Sequence, residues 1–193
     1  MAMESDLDLM QRIRSGDAAS FETLLRRYRV PLVSYCCRMV RDPALAEDLA
    51  QEVFLRVYKA RERYQPEARF TTWLYRIATN LALNAIRDRR DEVSKSASED
   101  PEGGPAFEQF IDARPTAEQQ LIQVDKERLI RQAVASLPEN QRVAVILHKY
   151  QEVDYRQIAK ILRVSESAVK SLLFRAYEAL RERLEPLLRE GQI

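Results

Sequence analysis

The residues that break helices are concentrated near the middle of this 193-residue chain. Residues 91–115 hold two of the four glycines and three of the eight prolines, among serines and acidic side chains. A stretch of this composition cannot bury enough apolar surface to form a core of its own. We therefore predict two domains, at residues 1–90 and 117–193, joined by a flexible linker at residues 91–116.

The charged side chains follow the same division. Residues 91–118 carry 8 acidic and 2 basic side chains. Residues 1–90 carry 16 basic and 12 acidic side chains, and residues 119–193 carry 13 and 10. The linker is therefore acidic and both domains are mildly basic. A weak basic excess fits polyanion binding, but it is also common on solvated surfaces, so charge alone identifies no partner.

Helical patterns fill both flanks of the linker. In the first flank, apolar residues recur at helical spacing, and Asp17 and Asp42 stand where helix N-caps are expected. We predict a helix at residues 6–14 and a second that continues to Val40 with a kink near Pro31. Two more helices are predicted at residues 44–60 and 71–88.

The second flank has capping signals at four positions, namely Thr116, Ser136, Asp154 and Ser165. Each precedes a run with apolar residues at helical spacing, so four helices are predicted here as well. The predicted fold class is therefore all-α, with two small helical domains.

A helix-turn-helix is predicted at residues 155–177, where two short helices need small and apolar residues at fixed places. Its predicted packing residues are Ile158, Ala159, Leu162, Val164 in the turn, Val169 and Leu172. The turn carries Arg163 where such motifs usually have glycine, so the bend must tolerate a side chain or use another backbone conformation.

The outward face of the second helix of this motif has the chemistry of a DNA-reading surface. It presents Lys170, Ser171, Phe174 and Arg175. Basic side chains can bind guanine edges or phosphates, while Ser and Phe offer a hydrogen bond and an apolar contact in a major groove. On this motif alone, a helical hairpin that only mediates protein contacts remains the alternative.

Two other helical faces are candidate binding surfaces. Asp48 lies three and four residues before Gln51 and Glu52, so the three share one face. A polar stripe at four-residue spacing consists of Thr72, Arg76, Asn80 and Asn84, beside an apolar stripe of Trp73, Ile77, Leu81 and Ala85. Ordinary solvated faces have the same patterns, so these spacings define candidates only.

Several classes of protein are disfavoured by the composition. The adjacent Cys36 and Cys37 and the single His148 offer too few ligands for a metal site, and neighbouring cysteines rarely form a disulfide. We see no nucleophile arrangement or glycine-rich phosphate loop, so we predict no enzyme activity, cofactor or small-molecule substrate. The longest apolar run, at residues 143–147, is far shorter than a membrane span, and the N-terminus lacks signal-peptide features, which predicts a cytoplasmic protein.

Three motifs together resemble one family. Residues 42–58, DPALAEDLAQEVFLRVY, resemble the polymerase-binding helix of extracytoplasmic-function (ECF) sigma factors. Residues 70–80, FTTWLYRIATN, are similar to their promoter-melting helix, and the helix-turn-helix is similar to their second domain. The resemblance covers about residues 5–90 and 117–186.

The resemblance implies a transcription initiation factor that binds core RNA polymerase and promoter DNA. On matching positions, Asp48, Gln51 and Glu52 are expected to contact the polymerase. The minus-ten contacts are expected at Thr72, Trp73, Arg76, Asn80 and Asn84, and the minus-thirty-five contacts at Lys170, Ser171, Phe174 and Arg175. Many relatives are held inactive by an anti-sigma factor, often anchored in the membrane, so such a partner is expected too.

Two other classes of protein share parts of this pattern. A sigma-mimicking adaptor copies the fold to titrate an anti-sigma factor, but known adaptors carry an additional receiver domain. A conventional helix-turn-helix regulator does not require the face with Asp48, Gln51 and Glu52. Both alternatives are weaker than a sigma factor on these grounds.

Overall fold

The computed structural model describes residues 4–64, 69–95 and 117–189. Within these ranges the chain forms eight α-helices and one 3-10 turn, and no strand occurs there. The predicted all-α class with two helical domains is confirmed. The predicted linker falls mostly on residues 96–116, which lie outside the described residues.

The N-terminal domain consists of four helices, α1 (Asp6–Arg14), α2 (Ala18–Val40), α3 (Pro43–Lys59) and α4 (Phe70–Lys95). α2 continues through Pro31 to Val40, as predicted. α4 is seven residues longer at its end than predicted, because residues 89–95 contain no Gly or Pro and therefore continue the helix. The first five residues of the predicted linker thus belong to α4.

The C-terminal domain also has four helices, α5 (Ala117–Ala135), α6 (Glu139–Tyr150), α7 (Tyr155–Leu162) and α8 (Glu166–Arg189). α6 is unusual because every residue from Arg142 to Leu147 is buried. A helix that is buried all round must be covered on several sides. α6 is covered by α8 and α5 from its own domain and by α2 from the N-terminal domain.

Side chains cap the predicted helix starts at four of the sites. The Asp17, Asp42 and Asp154 carboxylates accept from the backbone N–H groups of Ala19, Leu45 and Gln157 at 2.9, 3.1 and 2.8 Å. The Ser165 hydroxyl accepts from the Ala168 N–H at 3.1 Å. Such caps satisfy donors that have no partner inside the helix, so local sequence determines these boundaries.

The capping prediction at Ser136 is wrong. The Ser136 hydroxyl donates to the Ala133 carbonyl at 2.7 Å, and its N–H donates to Gln132, so this residue ends α5. α6 starts after Pro138, which provides no side-chain cap. The Pro138 carbonyl accepts from the Arg142 N–H at 2.9 Å, so this helix begins with a backbone hydrogen bond and no side-chain cap. The predicted cap at Thr116 lies outside the described residues.

Buried polar groups in the N-terminal core are satisfied locally. The fully buried Tyr35 hydroxyl lies 2.7 Å from the Thr79 Oγ1, and the Thr79 hydroxyl also lies 2.7 Å from the Tyr75 carbonyl. Burial raises the pKa of Tyr35, so the phenol stays protonated. This chain of hydrogen bonds fixes α4 against α2 and thereby orients the other faces of α4.

Candidate nucleic-acid interface

The acidic face of α3 lies opposite a continuous apolar face. Asp48 and Gln51 are exposed and Glu52 is half-buried, while Leu49 and Val53 pack into the core. The Arg56 side chain donates to Glu52 at 2.7 Å and lowers the pKa of that carboxyl. Asp48, Gln51 and Glu52 therefore share one solvent-facing side of α3, and the opposite side packs in the core of the N-terminal domain.

Tyr58, near the C-terminal end of α3, borders the acidic face and contacts two neighbouring side chains. Tyr58 is 43 % exposed, and its ring lies 5.1 Å from the ring of Phe21. The guanidinium of Arg61 lies 4.2 Å from the centre of the same ring. Tyr58 therefore borders the acidic face with a restricted orientation.

The predicted apolar stripe of α4 packs against the core in part, beside a second stripe that is fully buried. The core-facing residues are Leu74, Ala78 and Ala82, whereas the predicted apolar stripe of Trp73, Ile77, Leu81 and Ala85 is only partly buried. Trp73 joins an aromatic cluster with Tyr64 and Phe70, at ring distances of 5.0 and 6.0 Å. The prediction missed the buried stripe because its alanines carry little apolar signal.

The predicted polar stripe of α4 is divided between two environments. Asn80 and Asn84 are exposed and Arg76 is partly buried. Thr72 is only 4 % exposed. Its hydroxyl donates to the Gln157 side chain at 3.3 Å, so it is covered by α7 of the other domain. The structure thus brings four of the five predicted minus-ten residues to accessible or half-accessible positions and buries the fifth.

The helix-turn-helix is built by α7, α8 and a turn at Arg163. Arg163 adopts the left-handed conformation, with φ 58° and ψ 45°, and so takes the place of the usual glycine with its side chain intact. The Val164 N–H donates to the Ala159 carbonyl at 3.0 Å across the turn. The bend therefore tolerates a side chain, which was one of the two options left open by the sequence.

One of the predicted packing positions in this motif needs correction. Val164 is 36 % exposed and does not fill the turn, because the left-handed residue before it directs the chain outward. Leu172, like Leu162, is half-buried and packs against the core, as predicted. The buried side of α8 is formed by Val169, Leu173 and Ala176, at a spacing of four and three residues that was present in the sequence.

The predicted recognition face of α8 is open to solvent. Lys170, Ser171 and Arg175 are exposed, and Phe174 is 68 % exposed, the largest value among the exposed large apolar residues of the described ranges. Ser171 donates to the Ser167 carbonyl at 3.1 Å, and the Arg175 Nε donates to the Ser171 carbonyl at 3.2 Å. The Arg175 side chain is therefore anchored at its Nε.

The junction between the two domains had no signal in the sequence. The Tyr75 hydroxyl donates to the Gln151 side chain, and the Arg38 guanidinium lies 3.9 Å from the centre of the Tyr150 ring. A carboxylate of α6 also forms ion pairs with α4, from Glu139 to Arg90 at 3.1 Å and to Arg87 at 3.8 Å. These partners are 49 to 112 positions apart in sequence, so no local pattern could reveal them.

The cysteines have the environment of packing residues. Cys36 is buried, Cys37 is half-buried, and both are free thiols. Burial raises the pKa of Cys36 to about 12, so its reactive thiolate is scarce near neutral pH.

Across the described ranges, no three His, Cys, Asp or Glu side chains are grouped as a metal site requires. None of the helices in those ranges has the length and apolar character needed to cross a bilayer.

Comparison with protein families gives two matches in the expected order. Residues 24–92 match the family model described as Sigma-70 region 2. Residues 127–180 match the model described as Sigma-70, region 4. The first match includes α3 and most of α4, and the second includes the helix-turn-helix.

Curated relatives align over almost the whole chain. RNA polymerase sigma-H factor from Pseudomonas aeruginosa is 33% identical, over 99% of this chain and 100% of the relative. ECF RNA polymerase sigma factor SigW from Bacillus subtilis is 30% identical, over 92% of this chain and 96% of the relative.

Two solved structures share the fold. CnrH, in complex with the cytosolic domain of CnrY, has a TM-score of 0.69 and 21% identity, and the match covers 95% of this chain and 99% of CnrH. The sigma factor RpoE from Bartonella quintana, in complex with the anti-sigma factor NepR, has a TM-score of 0.66 and 23% identity, with 86% and 96% coverage. Both similarities concern the arrangement of helices.

Proposed function

The chain belongs to the ECF family of RNA polymerase sigma factors and directs transcription initiation, and we propose that it does so through three separate helical faces. The acidic face of α3 binds core polymerase, α4 opens the minus-ten element, and α8 reads the minus-thirty-five element. One observation carries this proposal. On both α3 and α8, the predicted binding face is open to solvent, while the opposite side of the same helix is buried in the core. In this scheme the two predicted domains, at residues 1–90 and 117–193, are joined by an acidic linker, and residues 91–95 of the predicted linker extend α4.

Polymerase binding is assigned to Asp48, Gln51 and Glu52. Two carboxylates and an amide on one rigid helix face offer several hydrogen-bond acceptors at fixed spacing to a basic partner. The buried face formed by Leu49 and Val53 keeps this helix in place, so binding requires little reordering. Tyr58 borders the contact.

Promoter opening is assigned to α4. Arg76 supplies a positive charge for a phosphate, and Asn80 and Asn84 offer amide groups to base edges on an exposed surface. Trp73 belongs to an aromatic cluster that can support an unstacked base. Thr72 completes this face once it is uncovered.

Upstream promoter recognition is assigned to α8. Lys170 and Arg175 provide positive charge, Ser171 a hydroxyl and Phe174 an exposed apolar surface. Because the Arg175 Nε is anchored to its own helix, the remaining guanidinium nitrogens are the ones that face DNA. A pre-oriented guanidinium reads a base edge with less loss of conformational entropy.

The partners follow from these assignments. Core RNA polymerase performs the chemistry, so this chain acts as a transcription factor in the cytoplasm, without a cofactor or small-molecule substrate and without catalytic activity of its own. CnrH and RpoE were solved with CnrY and NepR, and the same fold supports an anti-sigma factor as a further partner here.

The test of the polymerase assignment is a binding measurement with purified core enzyme. Asp48→Ala with Gln51→Ala should weaken binding by about tenfold, equivalent to about 1.4 kcal/mol, because charged hydrogen bonds at the contact are lost. The matched control is Gln132→Ala with Glu178→Ala, an exposed amide and carboxylate on the other domain. Helicity should stay unchanged in both variants. Unaltered affinity of the α3 variant, or an equal loss in the control, would exclude this face as the docking surface.

A further inference from the structure

The turn of the helix-turn-helix holds an arginine in a backbone conformation that suits glycine. Arg163 ends α7 with φ 58° and ψ 45°, where a Cβ is crowded by the following carbonyl oxygen. The hydrogen bonds that close the turn run from the N–H groups of Arg163 and Val164 to the Ala159 carbonyl, so they use the backbone alone. A glycine would therefore form the same turn with less strain, and the arginine side chain is not needed for the bend.

The side chain of Arg163 is exposed and unpaired. It forms no hydrogen bond or ion pair with any residue that the structure describes, although Glu166 stands only three positions later. Other exposed arginines are paired, such as Arg89 with Asp42 at 2.7 Å and Arg26 with Glu22 at 2.9 Å. A strained backbone that presents an exposed, unpaired charge is typical of a binding position.

Arg163 continues a row of positive charges along α7. Arg156, Lys160 and Arg163 follow one another at spacings of four and three residues, so they share one face of the helix. Arg156 and Lys160 are exposed as well, and neither pairs with a carboxylate in the described ranges. Residues 155–163 contain no acidic side chain. An exposed face that carries three positive charges and no negative charge is complementary to a polyanion.

The basic excess ends where the recognition face of α8 ends. Residues 155–175 carry five basic side chains and one acidic side chain, whereas residues 176–189 carry three of each. The row on α7 is therefore continuous with the face that is assigned to the upstream promoter element. This continuity indicates that the polyanion is the same DNA duplex.

The dimensions of the two partners place Arg163 beside the DNA backbone. An α-helix with its side chains is about 10–12 Å wide, and the major groove is about 12 Å wide, so a recognition helix fills the groove. The reading residues of α8 begin at Lys170, in the second turn of that helix. A residue that precedes the helix lies at the rim of the groove, where the phosphates are, and the first helix of such a motif crosses the backbone.

We propose that Arg163 binds a phosphate of the upstream promoter element, and that Lys160 and Arg156 extend this contact along the DNA backbone. The guanidinium donates two N–H groups to the phosphate oxygens, which fixes the turn against the DNA. The contact positions α8 in the groove and adds affinity for every sequence, whereas the reading residues of α8 supply discrimination. The proposal rests on the proposed role of α8 in upstream recognition.

The test measures DNA binding by the complex of core polymerase with the full chain that carries Arg163→Gly. Glycine adopts the left-handed turn and removes only the side chain. The probe is a promoter duplex that the wild-type complex selects from a randomised library, and its affinity is measured over a salt series. Loss of one phosphate contact should make the slope of log K against log salt concentration about 0.9 less steep. The urea midpoint of the free chain should not fall.

Two further variants separate the charge from the backbone conformation. Arg163→Lys keeps a positive charge and should retain the wild-type salt slope, because lysine also binds phosphate. Arg41→Gly is the matched control, since Arg41 is the exposed left-handed cap of α2, with φ 61° and ψ 25°, outside the faces assigned to DNA or polymerase. It removes the same interaction between a cation and a helix C-terminus, and it should leave the salt slope unchanged.

The dependence on DNA chemistry distinguishes a phosphate contact from a base contact. Arg163→Gly should lower the affinity for matched and mismatched promoter duplexes by the same factor. Uncharged methylphosphonates are then placed one at a time along the backbone of the upstream element. At the contacted phosphate, this change should weaken binding of the wild-type complex and have no further effect on the Arg163→Gly complex.

An unchanged salt slope in Arg163→Gly, or an equal change in Arg41→Gly, would overturn the phosphate contact. A loss confined to matched promoters would overturn it too, because that result assigns Arg163 to a base. These outcomes leave promoter selection by the wild-type complex intact. Absence of any promoter selection by the wild-type complex would instead refute the proposed function, and this contact with it.

Discussion

The two helices that carry the predicted DNA contacts, α4 and α8, differ in how the fold treats their polar faces. On α8 the face with Phe174 is open, because the helix buries only its opposite side, through Val169, Leu173 and Ala176. On α4 two sides are covered. Leu74 faces the core of its own domain, and Thr72 faces α7 of the other. The exposure of a polar stripe therefore depends on domain placement as much as on the helix that carries it.

The two covers also differ in chemistry. The buried side of α8 is apolar and belongs to the core of its own domain, so it stays covered as long as that domain is folded. The cover of α4 by the other domain includes two hydrogen bonds and two ion pairs of Glu139, and ion pairs contribute about 0–1 kcal/mol each when they are solvent-accessible. The cover of α4 is therefore the more polar of the two. The following predictions test that contrast, beginning with the largest effect.

The largest effect is expected for the buried anchor of α8. Leu173→Ala should lower the free energy of unfolding by about 2–5 kcal/mol, because Leu173 is 2 % exposed and its truncation leaves a cavity. Leu172→Ala is the matched control, since Leu172 is half-buried and should have a clearly smaller effect. Urea denaturation measures both. If the two variants lose equal stability, the assignment of the structural side of α8 is wrong.

The next effect concerns strand opening by α4. Arg76→Ala with Asn80→Ala should reduce transcription from duplex promoters by about ten- to a hundredfold, as expected for the loss of contacts worth about 1–3 kcal/mol. Pre-melted promoters should restore much of this activity, because the helix is assigned to opening. Lys149→Ala with Gln132→Ala, on the other domain, serves as a control for surface changes. Wild-type activity of the α4 variant on duplex DNA would remove this helix from the mechanism.

An effect of similar size is expected for the open face of α8. Arg175→Ala should reduce discrimination between variants of the upstream element by about 1–3 kcal/mol, because one base contact is lost. Competition binding with promoter variants, at one fixed salt concentration, measures this directly. A uniform loss of affinity for every sequence would instead assign Arg175 to a phosphate.

The smallest effect is expected for the edge of the domain junction. Arg90→Ala removes an ion pair with Glu139 and should raise the rate at which a maleimide labels the thiol of a Thr72→Cys variant by no more than about fivefold, or about 1 kcal/mol. High salt should diminish the difference, since both partners are partly exposed. Arg128→Ala, which removes an ion pair within α5, should leave the labelling unchanged. Equal labelling rates for Arg90→Ala and Arg128→Ala would show that the ion pair with Glu139 does not hold the junction.

Local features of the fold could be predicted from the sequence. The caps at Asp17, Asp42, Asp154 and Ser165 were correct, because each depends on contacts within three residues. The capping prediction at Ser136 failed, since the same hydroxyl also suits the end of the preceding helix. Chemistry alone does not distinguish these two uses of a serine.

Features that depend on distant packing could not be predicted. The polar side chain of Thr72 predicted exposure to solvent, but Gln157, 85 positions away in the sequence, covers it. The exposure of Val164 likewise depends on the left-handed conformation of Arg163, which a non-glycine residue adopts only when the surrounding structure enforces it. The family resemblance supplied candidate roles for the faces, whereas their accessibility required the structure.

The most direct test of the division between α4 and α8 is transcription in vitro with core polymerase and a library of duplexes that carry randomised promoter sequences. With the wild-type chain, selected start sites should share an upstream and a downstream element at fixed spacing. Arg175→Ala should relax the preference at the upstream element only, and Asn80→Ala at the downstream element only. The account is contradicted if the start sites equal those of core polymerase alone, or if both substitutions alter the same element.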